Sequence, residues 1–213
     1  MMKALIIGAT GSVGKCLTDA LLEDNTYNSV VVFVRRSSGK SHPKLREYII
    51  DFSKLENYKE LITGDILFSC LGTTLKEAGS EEKYWEINFD IFWKFAWIAR
   101  ENEVSSCVMI SSYCASLKSS VFYSPLKIVL EEGIAGCDFW QFLIFRPGLI
   151  LRNGKYLRGE KIAMRIIKTF NALGVLKRYE PIPVHILVEK LVKAPKVMCS
   201  GISILELDNI LKI

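Results

Sequence analysis

The chain has 213 residues, enough for one substantial hydrophobic core and short for two domains; half of them are hydrophobic and 24% are charged, the balance of a compact folded protein rather than a disordered or fibrous one. Its net charge of +5 is mild, and the lysines and arginines are scattered along the chain. That distribution lacks the basic arm or stripe of a nucleic-acid binder, so no nucleic-acid partner is expected.

Cysteine and histidine usage narrows the chemistry. Six cysteines form no C-x-x-C pair, and only His42 and His185 are present. A zinc site or a disulfide framework is therefore not expected, and reduced thiols point to a cytoplasmic protein. The N-terminal apolar run is too short for a signal peptide. The longest apolar-rich stretch, Ile87 to Ala99, contains Asp90 and Lys94 and is too short to cross a bilayer, so no membrane partner is expected.

The first predicted strand, Lys3–Gly8, runs straight into Gly8-Ala9-Thr10-Gly11-Ser12-Val13-Gly14 and then into a helix predicted over Val13–Glu23. Strand, glycine turn and helix together aim backbone N–H groups and the positive end of a helix dipole at one point. A dinucleotide pyrophosphate is the usual anion there. Gly8 permits the tight turn, Gly11 lets the backbone approach the phosphates and Gly14 lets the helix pack close to the sheet. Thr10, Ser12 and Val13 complete the expected cradle. Its spacing is G-x-x-G-x-x-G rather than G-x-G-x-x-G, so its flanks carry the inference.

The second strand, Val30–Val34, ends in Arg35-Arg36. A basic residue here suits a 2′-phosphate and an acidic one suits free ribose hydroxyls, so NADP(H) is favoured over NAD(H), with a solvated basic turn as the alternative. A third strand, Glu47–Ile50, leads to Asp51-Phe52. Asp51 either accepts from an adenine amino group or caps the helix predicted over Lys54–Leu61. The fourth strand, Ile66–Cys70, opens into Cys70-Leu71-Gly72-Thr73-Thr74, where a glycine lets a cofactor lie on backbone and threonines can donate to its oxygens; a generic loop is the competing reading.

A long helix is predicted over Glu81–Asn102. Its Trp85, Phe89, Phe92, Trp93, Ala96 and Trp97 share one broad face expected in the core, while Ile91 and Phe95 point elsewhere. A second apolar face suggests a partner helix and a possible homodimer.

The fifth strand, Cys107–Ser111, ends at Ser111-Ser112, and Tyr123 and Lys127 follow in the spacing Y-x-x-x-K. The position of that pair, between a serine-ended strand and the next helix, gives it weight. A phenol near pKa 10 is a poor base at neutral pH, and a neighbouring ammonium favours the phenolate. Ser112 can hold a carbonyl or hydroxyl oxygen beside it. Ser124-Pro125 reads as N-cap and first position of a helix over Pro125–Glu132, so Tyr123 and Lys127 are expected to straddle the helix start. The sixth strand, Trp140–Phe145, and helices over Glu160–Leu173 and His185–Ala194 complete the pattern.

Alternating strands and helices with no Pro/Gly/Ser-rich linker predict one α/β domain over residues 1–213, a doubly wound parallel sheet, with a small C-terminal appendage over about 149–213 on the substrate side.

GATGSVG, the paired arginines, DF at 51–52, CLGTT at 70–74, ISS at 110–112, YSPLK at 123–127 and FRPG at 145–148 resemble the atypical short-chain dehydrogenase/reductase superfamily. HPKLREYIIDF, CLGTTLKEAGS and RGEK at 158–161 resemble, within it, the small oxidoreductases related to the Tat-interactive protein TIP30 (CC3). The resemblance implies a Rossmann sheet, NADPH binding and a catalytic set of Ser112, Tyr123 and Lys127. It also places Arg146-Pro147-Gly148 beside the nicotinamide and Asn88 at the helix position of a catalytic asparagine. The expected function is NADPH-dependent reduction of a small carbonyl substrate with tyrosine as acid/base. A nucleotide-sugar epimerase or dehydratase and a non-catalytic NADPH-sensing module that binds a protein are the alternatives.

Overall fold

Uninterrupted aliphatic runs such as Ala4-Leu5-Ile6-Ile7 can be hidden only in a strand covered on both faces, and that is how they fold. The computed structural model describes residues 1–113, 123–151 and 179–213. The predicted helix Glu160–Leu173 lies outside them.

The main sheet consists of β1 (Met2–Ile7), β2 (Tyr27–Val34), β3 (Leu45–Ile49), β4 (Ile66–Ser69), β5 (Ser106–Ile110), β6 (Gln141–Arg146) and β9 (Gly201–Glu206). Their order is β3-β2-β1-β4-β5-β6-β9 and every pairing is parallel. A two-strand ladder, β7 (Ile150–Leu151) with β8 (Ile182–Pro183), stands apart from it. The helices are α1 (Ser12–Glu23), α2 (Leu75–Ala78), α3 (Glu81–Trp85), α4 (Ile91–Glu101), α5 (Tyr123–Ala135) and α6 (Val184–Val197).

Alternation along each strand divides the core into two layers. Ala4, Ile6, Val30, Val32 and Phe68 face the layer filled by Leu17 and Leu21 of α1 and Leu187 and Leu191 of α6. Leu5, Ile7, Val31, Phe33 and Leu67 face the opposite layer, filled by Phe92 and Phe95 of α4 and Leu130 and Ile134 of α5.

Four expectations change. The segment beyond Leu149, expected as an appendage, supplies the seventh strand of the main sheet and the helix that packs on α1. Strand β9 escaped notice because it lies at the sheet edge, with Ile202 and Ile204 exposed and only Leu205 buried, so it has no aliphatic run. The helix expected over Glu81–Asn102 is interrupted by a π turn at Glu86–Asp90. On α4 it is Phe92, Phe95, Ala96, Ile98 and Ala99 that are buried, while Trp85, Trp93 and Trp97 are 38–46% exposed. The tryptophans therefore line the outer side, paired as Trp93–Trp97 and Trp85–Phe89 at ring separations of 5.9 and 5.4 Å. Finally, α5 starts at Tyr123 rather than Pro125. Pro125 is thus in the first turn, where its missing N–H leaves no helical bond unmade, and Tyr123 and Lys127 lie within one helix.

Candidate functional site

The carboxyl ends of the strands converge on the turn between β1 and α1. Gly8 has φ +77°, and a methyl group on it would meet the Cys70 carbonyl carbon at 2.5 Å. One on Gly14 would sit 2.1 Å from the Gly8 oxygen. Only glycine fits either position, because each brings two backbone segments into contact. Gly11 caps α1 without a side-chain hydrogen bond, and the first turn carries no acidic residue. The helix therefore presents free N–H groups and an uncompensated positive dipole end.

Two clefts open from this turn. One, of about 460 Å³, is lined by Gly11, Ser12, Val13, Cys70, Leu71, Gly72, Thr73, Thr74, Glu77, Ile110, Ser111, Ser112, Lys127 and Ile150. The other, of about 590 Å³, is lined by Thr10, Lys15, Arg35, Arg36, Ser37 and Ser38. Three cations share that second cleft. Its Ser37-Ser38 turn is anchored to β3: Ser37 Oγ donates to Glu47 at 2.7 Å and the Ser38 N–H donates at 3.1 Å. Burial pushes the Glu47 carboxyl up, but these bonds outweigh it and hold the group below the ordinary carboxylate range.

The loop after β4 is held from behind. Asn88, buried within the π turn, accepts from the Thr73 N–H at 3.1 Å and donates to the Tyr84 carbonyl at 2.8 Å. Its amide is thus committed to backbone, and it fixes the loop instead of entering the cleft. Thr74 caps α2, accepting from the Glu77 N–H at 3.2 Å in a reciprocal capping box.

The far wall is formed by β5 and α5. Ser112 is half-buried and lines the cleft. Lys127 is 6% exposed, and among the described residues it has no hydrogen-bond or ion-pair partner. Burial pushes its ammonium down to about 8, opposed by the Glu131 carboxylate. Burial also pushes the Cys70 thiol up to about 12, so it stays protonated and unreactive at neutral pH. Behind the wall, Ser111 donates to Glu131, and Arg146 holds both Glu131 oxygens while donating to Glu206 at 2.7 Å.

The predicted residues Gly11, Ser12, Val13, Cys70, Leu71, Gly72, Thr73, Ser112 and Lys127 thus meet at one cleft, and Thr10, Arg35 and Arg36 at the other. Gly8 and Gly14 shape the turn. Asp51 and Phe52 line neither cleft: Asp51 Oδ1 accepts from the Ser53 N–H at 3.0 Å and its hydroxyl at 2.7 Å, so the capping alternative is the one realised. Pro147 also lines neither; its carbonyl accepts from the Tyr113 N–H at 3.1 Å and steadies the chain after Ser112. The Tyr123 side chain lies outside the described residues, as does most of the 149–213 segment before Tyr179 that was expected on the substrate side. Sequence reading missed Lys15, Glu131 and Glu206. Lys15 had a visible signal, since it follows Gly14 directly; the others had none.

The family model described as the NAD dependent epimerase/dehydratase family matches residues 4–120. The chain belongs to this family. Protein fmp52-2, mitochondrial, of Aspergillus oryzae is 33% identical over 183 residues, covering 82% of this chain and 77% of that protein. Protein HTATIP2 of Rattus norvegicus is 30% identical over 165 residues, covering 75% and 68%. The Bordetella bronchiseptica enzyme WbmH, solved in complex with NAD+, has the same fold at TM-score 0.70 and 18% identity, covering 96% of this chain and 75% of that one.

This membership bears out the dehydrogenase/reductase-type resemblance and the Rossmann sheet. It overturns one expectation. Relatives from Aspergillus oryzae, Eremothecium gossypii, Candida albicans and Debaryomyces hansenii carry mitochondrial in their names, against a cytoplasmic location. Cysteine usage separates oxidising from reducing compartments and cannot separate one reducing compartment from another. Among the described residues, no helix is long and apolar enough to cross a membrane and no cluster of ligating side chains could hold a metal ion.

Proposed function

We propose that this family member is an NADPH-dependent oxidoreductase that reduces a small carbonyl compound, with Ser112, Tyr123 and Lys127 as its catalytic set. The observation that carries this reading is Lys127. Burying an ammonium is costly, and here one stands on the wall of a cleft that begins at a phosphate-type glycine turn.

The residues present fit a pyridine dinucleotide. The N–H groups at Ser12 and Val13 suit its pyrophosphate, and the free N-terminus of α1 favours the negative charge. Arg35, Arg36 and Lys15 suit a 2′-phosphate, which is the basis for preferring NADPH to NADH. The Lys127 ammonium, which has no hydrogen-bond partner among the described residues, suits ribose hydroxyls. When bound, the reduced nicotinamide supplies a hydride to the substrate carbon.

The protein's own part is proton chemistry at the carbonyl oxygen. Ser112 donates a hydrogen bond to that oxygen and holds it in place. Tyr123, one helical turn before Lys127, gives the same oxygen its proton as charge builds there. A nearby ammonium lowers the energy of the resulting phenolate, so the transfer proceeds at neutral pH. Leu71, Ile110 and Ile150 supply apolar wall and limit water at the reacting atoms.

Titration with NADPH and NADH, followed by turnover on a panel of small aldehydes and ketones, tests this reading. Tyr123→Phe is expected to abolish turnover and leave NADPH affinity within about threefold. Interconversion of a nucleotide sugar without net NADPH consumption would replace it with the epimerase reading. Failure to bind either dinucleotide at millimolar concentration would remove both.

A further inference from the structure

The cleft wall has a second layer that the reading above does not use. Glu131 lies one helical turn beyond Lys127 on α5, and its side chain is only 5% exposed. Three elements converge on it. Ser111, at the end of β5, donates to Oε1. Arg146, at the end of β6, donates through Nε to both carboxylate oxygens at 3.2 Å and through a second nitrogen to Oε2. Glu206, at the end of β9, takes the remaining arm of Arg146 at 2.7 Å. Among the described residues, the donors to this carboxylate come from strand ends, which hold it in place.

We propose that Glu131 is a positioning residue for the cleft: locked by Ser111 and Arg146 one helical turn from Lys127, its buried carboxylate favours the charged form of that lysine at the cleft wall. The proposal rests on the reading of that cleft as a dinucleotide site only in its choice of NADPH as one probe.

The placement of the charges supports it. Arg146 carries one positive charge and bonds Glu131 and Glu206, and Glu131 is the one of the two carboxylates on the same helix as Lys127. Ser111 is spent on Glu131, which leaves Ser112 as the hydroxyl free to meet a substrate. Among the described residues, the ionisable groups near Lys127 are Glu131 on its own helix, with Arg146 of β6 and Glu206 of β9 behind that carboxylate, and, across the cleft, Cys70 and the exposed Glu77. Of these, only Glu131 is a buried anion one turn away. Burial alone favours the neutral amine, and the Glu131 carboxylate opposes that fall.

The test is a direct titration of the Lys127 side chain by NMR, with the resonance assigned from its disappearance in Lys127→Arg. In the unsubstituted protein Lys127 is expected to be ammonium at pH 7. In Glu131→Gln its midpoint is expected to fall by at least one pH unit, a tenfold change, while Glu131→Asp stays within half a unit. NADPH affinity of Glu131→Gln is expected to match the unsubstituted protein at pH 6 and to be about fivefold weaker at pH 8. An unmoved midpoint in Glu131→Gln overturns the proposal. So does a neutral Lys127 at pH 7 in the unsubstituted protein, a result readable even if the glutamine variant does not fold. If NADPH does not bind at all, the dinucleotide reading fails while the NMR titration still decides the role of Glu131.

Discussion

Replacing Lys127 with methionine should make this protein more stable. Met has nearly the same volume and shape as the lysine stem, so the cavity stays filled. What changes is the charge. The fall of Lys127 from the ordinary 10.5 to about 8 corresponds to roughly 3 kcal/mol of penalty for holding the ammonium in the fold. The Glu131 attraction is already included in that figure. Below about pH 8 both folded and unfolded chains carry the proton, and the penalty is full. Between about 8 and 10.5 the unfolded chain still binds a proton that the folded chain has released, so the stability of the unsubstituted protein climbs with pH across that window. Lys127→Met should therefore exceed it by roughly 3 kcal/mol at pH 7, about 6–12 °C in Tm for a chain of this size, and the gap should close by pH 10.5. Urea unfolding at half-unit pH steps from 6 to 10.5 measures both the gap and its closure. NADPH affinity should drop at least tenfold in the same variant. A methionine variant that is no more stable at pH 7, or a gap that does not change with pH, would refute the assignment of Lys127 as a strained buried cation.

The glycines separate by role. Gly14→Ala should unfold the protein or cost several kcal/mol in denaturant titration, because its methyl meets backbone at 2.1 Å. Gly11→Val should fold but lose at least tenfold in NADPH affinity by calorimetry, since its nearest outside neighbour is 3.3 Å away and the bulk projects where the anion would lie. The double variant Arg35→Ala/Arg36→Ala, and separately Lys15→Ala, should weaken NADPH at least tenfold and NADH less than threefold; equal losses would remove the 2′-phosphate assignment. Arg146→Met should cost about 3–5 kcal/mol, because it strips a buried carboxylate of its principal partner. Asp24 links α1 to Lys196 of α6. Burial pushes its carboxyl up, but hydrogen bonds from Lys196 and Thr26 bring it down to about 2. Its contribution, about 1 kcal/mol after allowance for partial exposure, is present above pH 3.8 and lost as pH falls toward 2, and Asp24→Asn should flatten that acid limb.

Much of the site was legible because its chemistry is local. The glycine turn, the arginines after β2 and the serines after β5 each sit within a few residues of a strand end, and in a parallel sheet all strand ends with that direction meet at one edge. Asp51 was legible only as a pair of alternatives, since capping Ser53 and reaching an adenine use the same carboxylate in the same stretch of chain. The tryptophans of α4 were misplaced for a different reason. Phe92 and Trp93 are neighbours only about 100° apart around α4, and large aromatic residues read as core whichever end of that arc meets the sheet.

Sequence by itself determined the parallel α/β architecture, the anion-binding turn and the Tyr–Lys spacing, because aliphatic runs, glycine punctuation and helical periods act over a few neighbouring residues. Only the tertiary structure decided that β9 completes the sheet and that Lys15 faces the two arginines. It alone also gathers Ser111, Glu131, Arg146 and Glu206 behind the buried lysine. Those contacts join residues far apart in the chain, and a salt bridge or an edge-strand pairing leaves no periodic trace along it.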